Sequence, residues 1–112
     1  MESRKLVFYL RDAVARFSKV PFDQFLSLES EHWFEDIGTP TENGESDYFQ
    51  IEVELVDCLV EFGVDVLHVS VVVRDEFQEF SSDMFVYRDG RIRKDDKVYR
   101  FDCGIPHVVD DM

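Results

Sequence analysis

Two glutamates spaced by one residue, Glu52 and Glu54, stand in the alternating segment FQIEVEL. A strand advances about 3.3 Å per residue, so such a pair shares one face with about 7 Å between its members. Carboxylates placed this way can run acid–base chemistry when unequal burial drives their pKa values apart. They can also hold a hard cation or attract a positively charged partner. The rest of the chain separates these options. It contains no D-x-[DN]-x-[DN]-G loop of the kind that gathers oxygens around calcium. His32, His68 and His107 are scattered, and neither Cys58 nor Cys103 neighbours a histidine at zinc-ligand spacing. GxSxG, HExxH, P-loop and GxGxxG patterns do not occur. No catalytic, metal-binding or cofactor-binding residue is therefore assigned, and a non-enzymatic role is expected.

Charge distribution says more than any motif. Of the net charge of −13, residues 1–19 contribute +3 and residues 74–112 contribute −3. Between Val20 and Val73 lie 13 acids and no lysine or arginine. Acidic side chains on outer strand faces aid solubility and discourage edge-to-edge association, but ordinary soluble surfaces interleave both signs. Like charges held close without local relief cost stability through self-repulsion. A basic partner would give that cost a purpose, because complementary fields accelerate encounter and close charge pairs then hold the complex. Nucleic acid and anionic membrane are poor partners, since binding phosphate depends on lysine and arginine.

The elements that must position these acids follow from composition and periodicity. With 112 residues, 45% of them hydrophobic, the chain is expected to fold as a single domain spanning 1–112. Leu6, Val7, Leu10, Ala13, Val14 and Phe17 recur at helical spacing, with Ser3 as a candidate N-cap. A second, shorter helix is expected from about Pro21 to Glu31. The segment EDIGTPTENGESD, Glu35 to Asp47, is dense in turn-forming residues and reads as an exposed acidic loop. Strands follow at Tyr48–Val60, whose apolar face changes side near Val56 and Asp57 as at a bulge, and around Leu67–Val73. RDEFQEFSSD reads as a connection to the strand Met84–Arg88, and Asp89-Gly90 as a hairpin turn with φ > 0 at both positions. KDDK makes an irregularity, VYRF closes the sheet, and the tail IPHVVDDM is expected to be loosely attached. The expected fold is α+β, with one or two N-terminal helices packed on one face of a four- or five-stranded antiparallel meander sheet. No stretch approaches the 18 apolar residues of a membrane span, and MESRKLVFYLRDAVARF is too interrupted by charge to be a signal peptide, so a cytoplasmic location is expected. With no CxxC, Cys58 and Cys103 read as free thiols.

Small size, the acid-only segment, and the helix-then-meander order of LVFYLRDAVARF, FQIEVEL, LHVSVVVRD and MFVYRDGRI resemble bacterial immunity proteins of toxin systems, including those of contact-dependent growth inhibition. The resemblance implies a non-catalytic inhibitor of a cognate toxin domain, here one with a basic, nuclease-like cleft. The expected contact surface combines Glu29, Glu31, Glu35, Asp36, Glu42, Glu45 and Asp47 with the strand acids Glu52, Glu54 and Asp57. Trp33 and Tyr48 lie among them as candidate aromatic anchors, with a core position the alternative for Trp33. A small-ligand or metal-binding module is the alternative function. Self-pairing through an edge strand is left open.

Overall fold

The computed structural model describes residues 2–26, 33–40, 46–95 and 97–109. Side chains of residues 33–37, 39, 40, 46 and 47 lie outside that description. Helix α1 (Ser3–Phe17) is followed by the short α2 (Phe22–Leu26). Seven strands come next: β1 (Trp33–Pro40), β2 (Ser46–Glu61), β3 (Val64–Arg74), β4 (Glu79–Tyr87), β5 (Ile92–Lys94), β6 (Val98–Asp102) and β7 (Ile105–Val109). All pairings are antiparallel, and the sheet runs β1-β2-β3-β4-β6-β7, with β5 also on β4. From β1 to β5 each strand lies beside the one before it in the chain, and β6 returns to the same edge of β4 and pairs onward with β7.

The expected α+β architecture is the observed one, with a strand added at each edge of the sheet. Glu35 to Pro40, read from sequence as loop, belongs to β1, because cross-strand pairing with β2 outweighs the low strand preference of Gly38 and Pro40. Likewise Ile105–Val109, expected to hang loose, pairs with β6. Strand β4 starts at Glu79, inside the segment read as a connection, and Phe80 is fully buried whereas Phe77 is exposed. The short second helix ends at Leu26 among the described residues, and residues 27–31 of its expected span lie outside them. Ser3 is the first helical residue rather than the N-cap, which is Glu2, and the Ser3 hydroxyl donates instead to Gln78 Oε1. At the β4–β5 turn only Gly90 has positive φ, so Asp89 does not take the left-handed conformation expected of it.

Period-two and period-3.6 stripes meet on one side of the sheet. Leu6, Val7, Leu10, Ala13, Val14 and Phe17 of α1 are buried against Phe49, Ile51 and Val53 of β2, the odd-numbered residues Leu67–Val73 of β3, and Phe80, Met84 and Val86 of β4. Phe22 and Phe25 of α2 extend the same layer. The opposite face of the sheet carries the even-numbered residues of β3 and the odd-numbered residues of β4. The expected bulge is present between Leu55 and Asp57, so that beyond it Asp57 stands opposite His68.

The turns show what their sequences cost. Phe62 and Gly63 join β2 to β3 with φ of 50° and 79°, and Phe62 is 98% exposed. A phenylalanine held at positive φ without burial gains nothing from the fold. Phe62→Asn should therefore stabilise the protein by about 0.5–1 kcal/mol, raising Tm by several degrees in calorimetry. In the β3–β4 turn, the Asp75 carboxylate accepts the Phe77 and Gln78 amides at 2.8 Å each. Burial pushes its pKa up, but these backbone hydrogen bonds outweigh that and hold it below the ordinary carboxylate value. A depressed folded pKa contributes stability that is complete above the unfolded value of about 4 and is lost as pH falls through the folded value. Asp75→Asn should flatten the acid limb of a plot of urea midpoint against pH below about pH 4.

Candidate protein-binding site

Strand β2 carries the acids singled out by sequence, and its pairing decides what each can do. Glu52, expected to face solvent, is only 9% exposed. Arg74 of β3 donates from Nη2 to Glu52 Oε2 at 2.7 Å and also meets Glu79 Oε1 at 2.7 Å. Burial pulls the Arg74 pKa down, but its hydrogen bonds to both carboxylates reverse this and raise it above the ordinary value. An arginine just beyond the acid-only segment thus makes Glu52, expected from sequence to be a partner-contact residue, a member of a structural ion pair. A second arginine from outside the segment, Arg88, donates to Asp65 Oδ2 at 2.8 Å.

Glu54 is half-buried, opposite Ser70, and Asp57 is exposed, with its Oδ1 accepting the Cys58 amide at 2.8 Å. Next to Asp57, His68 stacks on Phe85 with ring centroids 4.7 Å apart, and Arg93 lies 4.4 Å from the centroid of the same ring. His68 Nε2 stands 3.1 Å from Asp83 Oδ1 without hydrogen-bond alignment. Tyr48 is 73% exposed and lies across Gly38, where an added Cβ would come within 2.8 Å of the ring. An open cleft of about 460 Å³ begins there, lined by Gly38, Tyr48, Gln50, Arg74, Asp75 and Glu76.

Of the other expected contact residues, Glu29, Glu31, Glu42 and Glu45 lie outside the described residues. Trp33, Glu35, Asp36 and Asp47 are placed by their backbone alone, opposite Val53, Ile51, Gln50 and Thr39. The strand positions do share one element, but Tyr48 and Asp57 are nine residues apart on β2, about 30 Å at strand rise. What the sheet assembles is thus a long stripe.

Sequence reasoning missed a feature at the far end of that stripe. Val56, Leu59, Val60 and Phe62 are 50%, 43%, 71% and 98% exposed, an apolar group interleaved with Asp57 and Glu61. The change of apolar side near Val56 was the available signal, since a strand that switches faces past the end of its covering helix must expose something. On the other side of the sheet, Arg91, Arg93, Lys94, Lys97 and Arg100 are all exposed around β5 and β6. The thiols of Cys58 and Cys103 are free and exposed. Among the described residues no helix is long and apolar enough to cross a membrane, and no three metal-ligating side chains converge. Comparison with known proteins finds no matching family model, curated protein or solved structure.

Removal of the guanidinium should expose the structural role of the Glu52 pair. Arg74→Ala is expected to lower stability by about 1–3 kcal/mol in urea denaturation, whereas Asp57→Ala, on an exposed side chain, should stay within about 0.5 kcal/mol.

Proposed function

We propose that this chain is a non-catalytic protein-binding inhibitor that engages a basic, nuclease-like toxin domain through its acidic β1–β2 side, in the manner of an immunity protein. One observation carries the reading. The lysine- and arginine-free segment supplies β1, β2 and all of β3 except Arg74, and these three strands are neighbours in the sheet. The segment's acids on these strands are therefore carried by neighbouring elements, and the exposed lysines and arginines around β5 and β6 lie beyond β4. Such separation produces a field that orients a basic partner before contact and raises the association rate. The exposed apolar residues beside Asp57 and Glu61 supply the desolvated area that charge alone does not, since binding energy concentrates in a few buried anchors.

The cleft beside Tyr48 is what favours the small-ligand alternative. Its cationic group, Arg74, already spends its guanidinium on Glu52 and Glu79, which leaves it poorly placed to take an anion. A ligand site there predicts a thermal shift with a small molecule or divalent ion and indifference to charge reversal on β2.

The inhibitor reading is tested with the product of an adjacent coding sequence that ends in a basic domain. Co-purification is expected in low salt and loss of the complex above about 0.5 M salt, as screening contracts to a few ångströms. Asp57→Lys should weaken it at least about tenfold, a loss of about 1.4 kcal/mol. A complex that ignores both salt and charge reversal would contradict the proposal.

A further inference from the structure

The turn that closes the β2–β3 hairpin runs against the ordinary preferences of its residues. Two-residue turns with positive φ at both positions favour asparagine or aspartate followed by glycine. Phe62 and Gly63 hold φ of 50° and 79°, so an aromatic side chain occupies a place that asparagine fills more easily. Burial would offset that cost, yet Phe62 is almost fully exposed, and an ideal Cβ on Gly63 meets nothing within 4 Å. The tip stands clear of the molecule. A backbone outlier that returns nothing to the fold points to a function.

Its mounting is firm. Glu61 on one leg accepts the hydroxyl of the buried Tyr87 at 3.1 Å. Asp65 on the other leg accepts the Arg88 amide at its carbonyl, 2.9 Å away, and Arg88 Nε at its Oδ2, 2.8 Å away. The Arg88 guanidinium lies 4.7 Å from the ring centroid of Phe22, a member of the core layer. Both legs are thus tied to the end of β4, and the tip projects from a fixed stem. A side chain presented this way has little further freedom to lose when a partner takes it up.

Charge selects the partner. Close to Phe62, the exposed Val56, Leu59 and Val60 are interleaved with Asp57 and Glu61. The arginines of the adjoining β4–β5 turn are already matched, Arg88 with Asp65 at 2.8 Å and Arg91 with Asp89 at 2.9 Å. The hairpin is therefore apolar at its point and negative at its base. We propose that Phe62 is the anchor of the interface, entering an apolar pocket of the basic partner whose rim carries lysine or arginine to meet Asp57 and Glu61. The inference rests on the reading of the partner as basic, and adds which side chain is gripped and what receives it. An anionic bilayer is opposed by the same two carboxylates, and a second copy meeting tip to tip sets them against their equals.

Two probes test the anchor. With the basic-domain protein of the co-purification above, Phe62→Asn is expected to speed dissociation about tenfold or more and to leave the salt dependence of association unchanged. The same substitution should raise the Tm of the isolated chain, so the effects on fold and on binding have opposite signs. Phe77→Asn, at another highly exposed aromatic, should leave dissociation unchanged. The second probe is an amino-substituted β-cyclodextrin, an apolar cavity rimmed with ammonium groups, set against its carboxylated counterpart. In low salt the ammonium form is expected to bind the full chain at least about fivefold more tightly, to shift the Phe62 ring resonances, and to lose this preference with Phe62→Asn. An isolated chain destabilised by Phe62→Asn, equal uptake of both cyclodextrins, insertion of Phe62 into phosphatidylcholine vesicles, or a dimer abolished by Phe62→Asn would overturn the assignment. A complex that dissociates no faster without Phe62 overturns the anchor and spares the inhibitor reading. Selective capture of Phe62 by the ammonium cavity, with no complex formed by the basic domain, does the reverse.

Discussion

Everything in this molecule is conditioned by a sheet with one helix layer. The apolar stripe of α1 and the period-two residues of β2, β3 and β4 bury one another, and fully buried positions such as Leu6, Leu10, Val53, Val69, Val71, Phe80 and Met84 sit in that single interface. The opposite face has no layer of its own among the described elements, so its residues must be satisfied within the sheet or by water. The Glu52–Arg74–Glu79 group is the internal solution: one guanidinium spans two strands and neutralises carboxylates that would otherwise repel. The stacking of His68 and Arg93 on Phe85 is the aromatic counterpart, shielding a ring that no helix covers.

Meander topology gives the charge pattern its meaning. In a fold with crossovers, an acidic block of sequence would be interleaved with other strands and diluted. Here β1, β2 and β3 are neighbours in both chain and sheet, so the acid-only segment occupies adjacent strands and the β5–β6 region lies beyond β4. Two of the segment's acids, Glu52 and Asp65, are compensated by Arg74 and Arg88, which lowers the self-repulsion of the block without abolishing its sign. Asp57, by contrast, is exposed beside the exposed apolar residues Val56, Leu59 and Val60.

Much of this was legible in the chain. The helical spacing of Leu6 to Phe17, the alternation from Phe49 to Leu55, and the shift near Val56 correspond to α1, β2 and its bulge. Both sheet edges were hidden for one reason: Glu35–Pro40 and Ile105–Val109 are strands by virtue of pairing with β2 and β6, and their own glycine and proline argue for turns. The fate of Glu52 was hidden differently. Its partner lies 22 residues away, and which residue stands beside which across two strands depends on a register that the bulge resets by one.

The central claim is that the β1–β2 side of the sheet attracts a cationic protein surface by its long-range field. Stopped-flow association of the intact chain with the proposed basic partner, followed across ionic strength, addresses this most directly. A rate that falls steeply, by a factor of about ten or more between low and physiological salt, is what the charge separation requires. A rate that stays level over the same range would mean that the acidic block has no part in recognition.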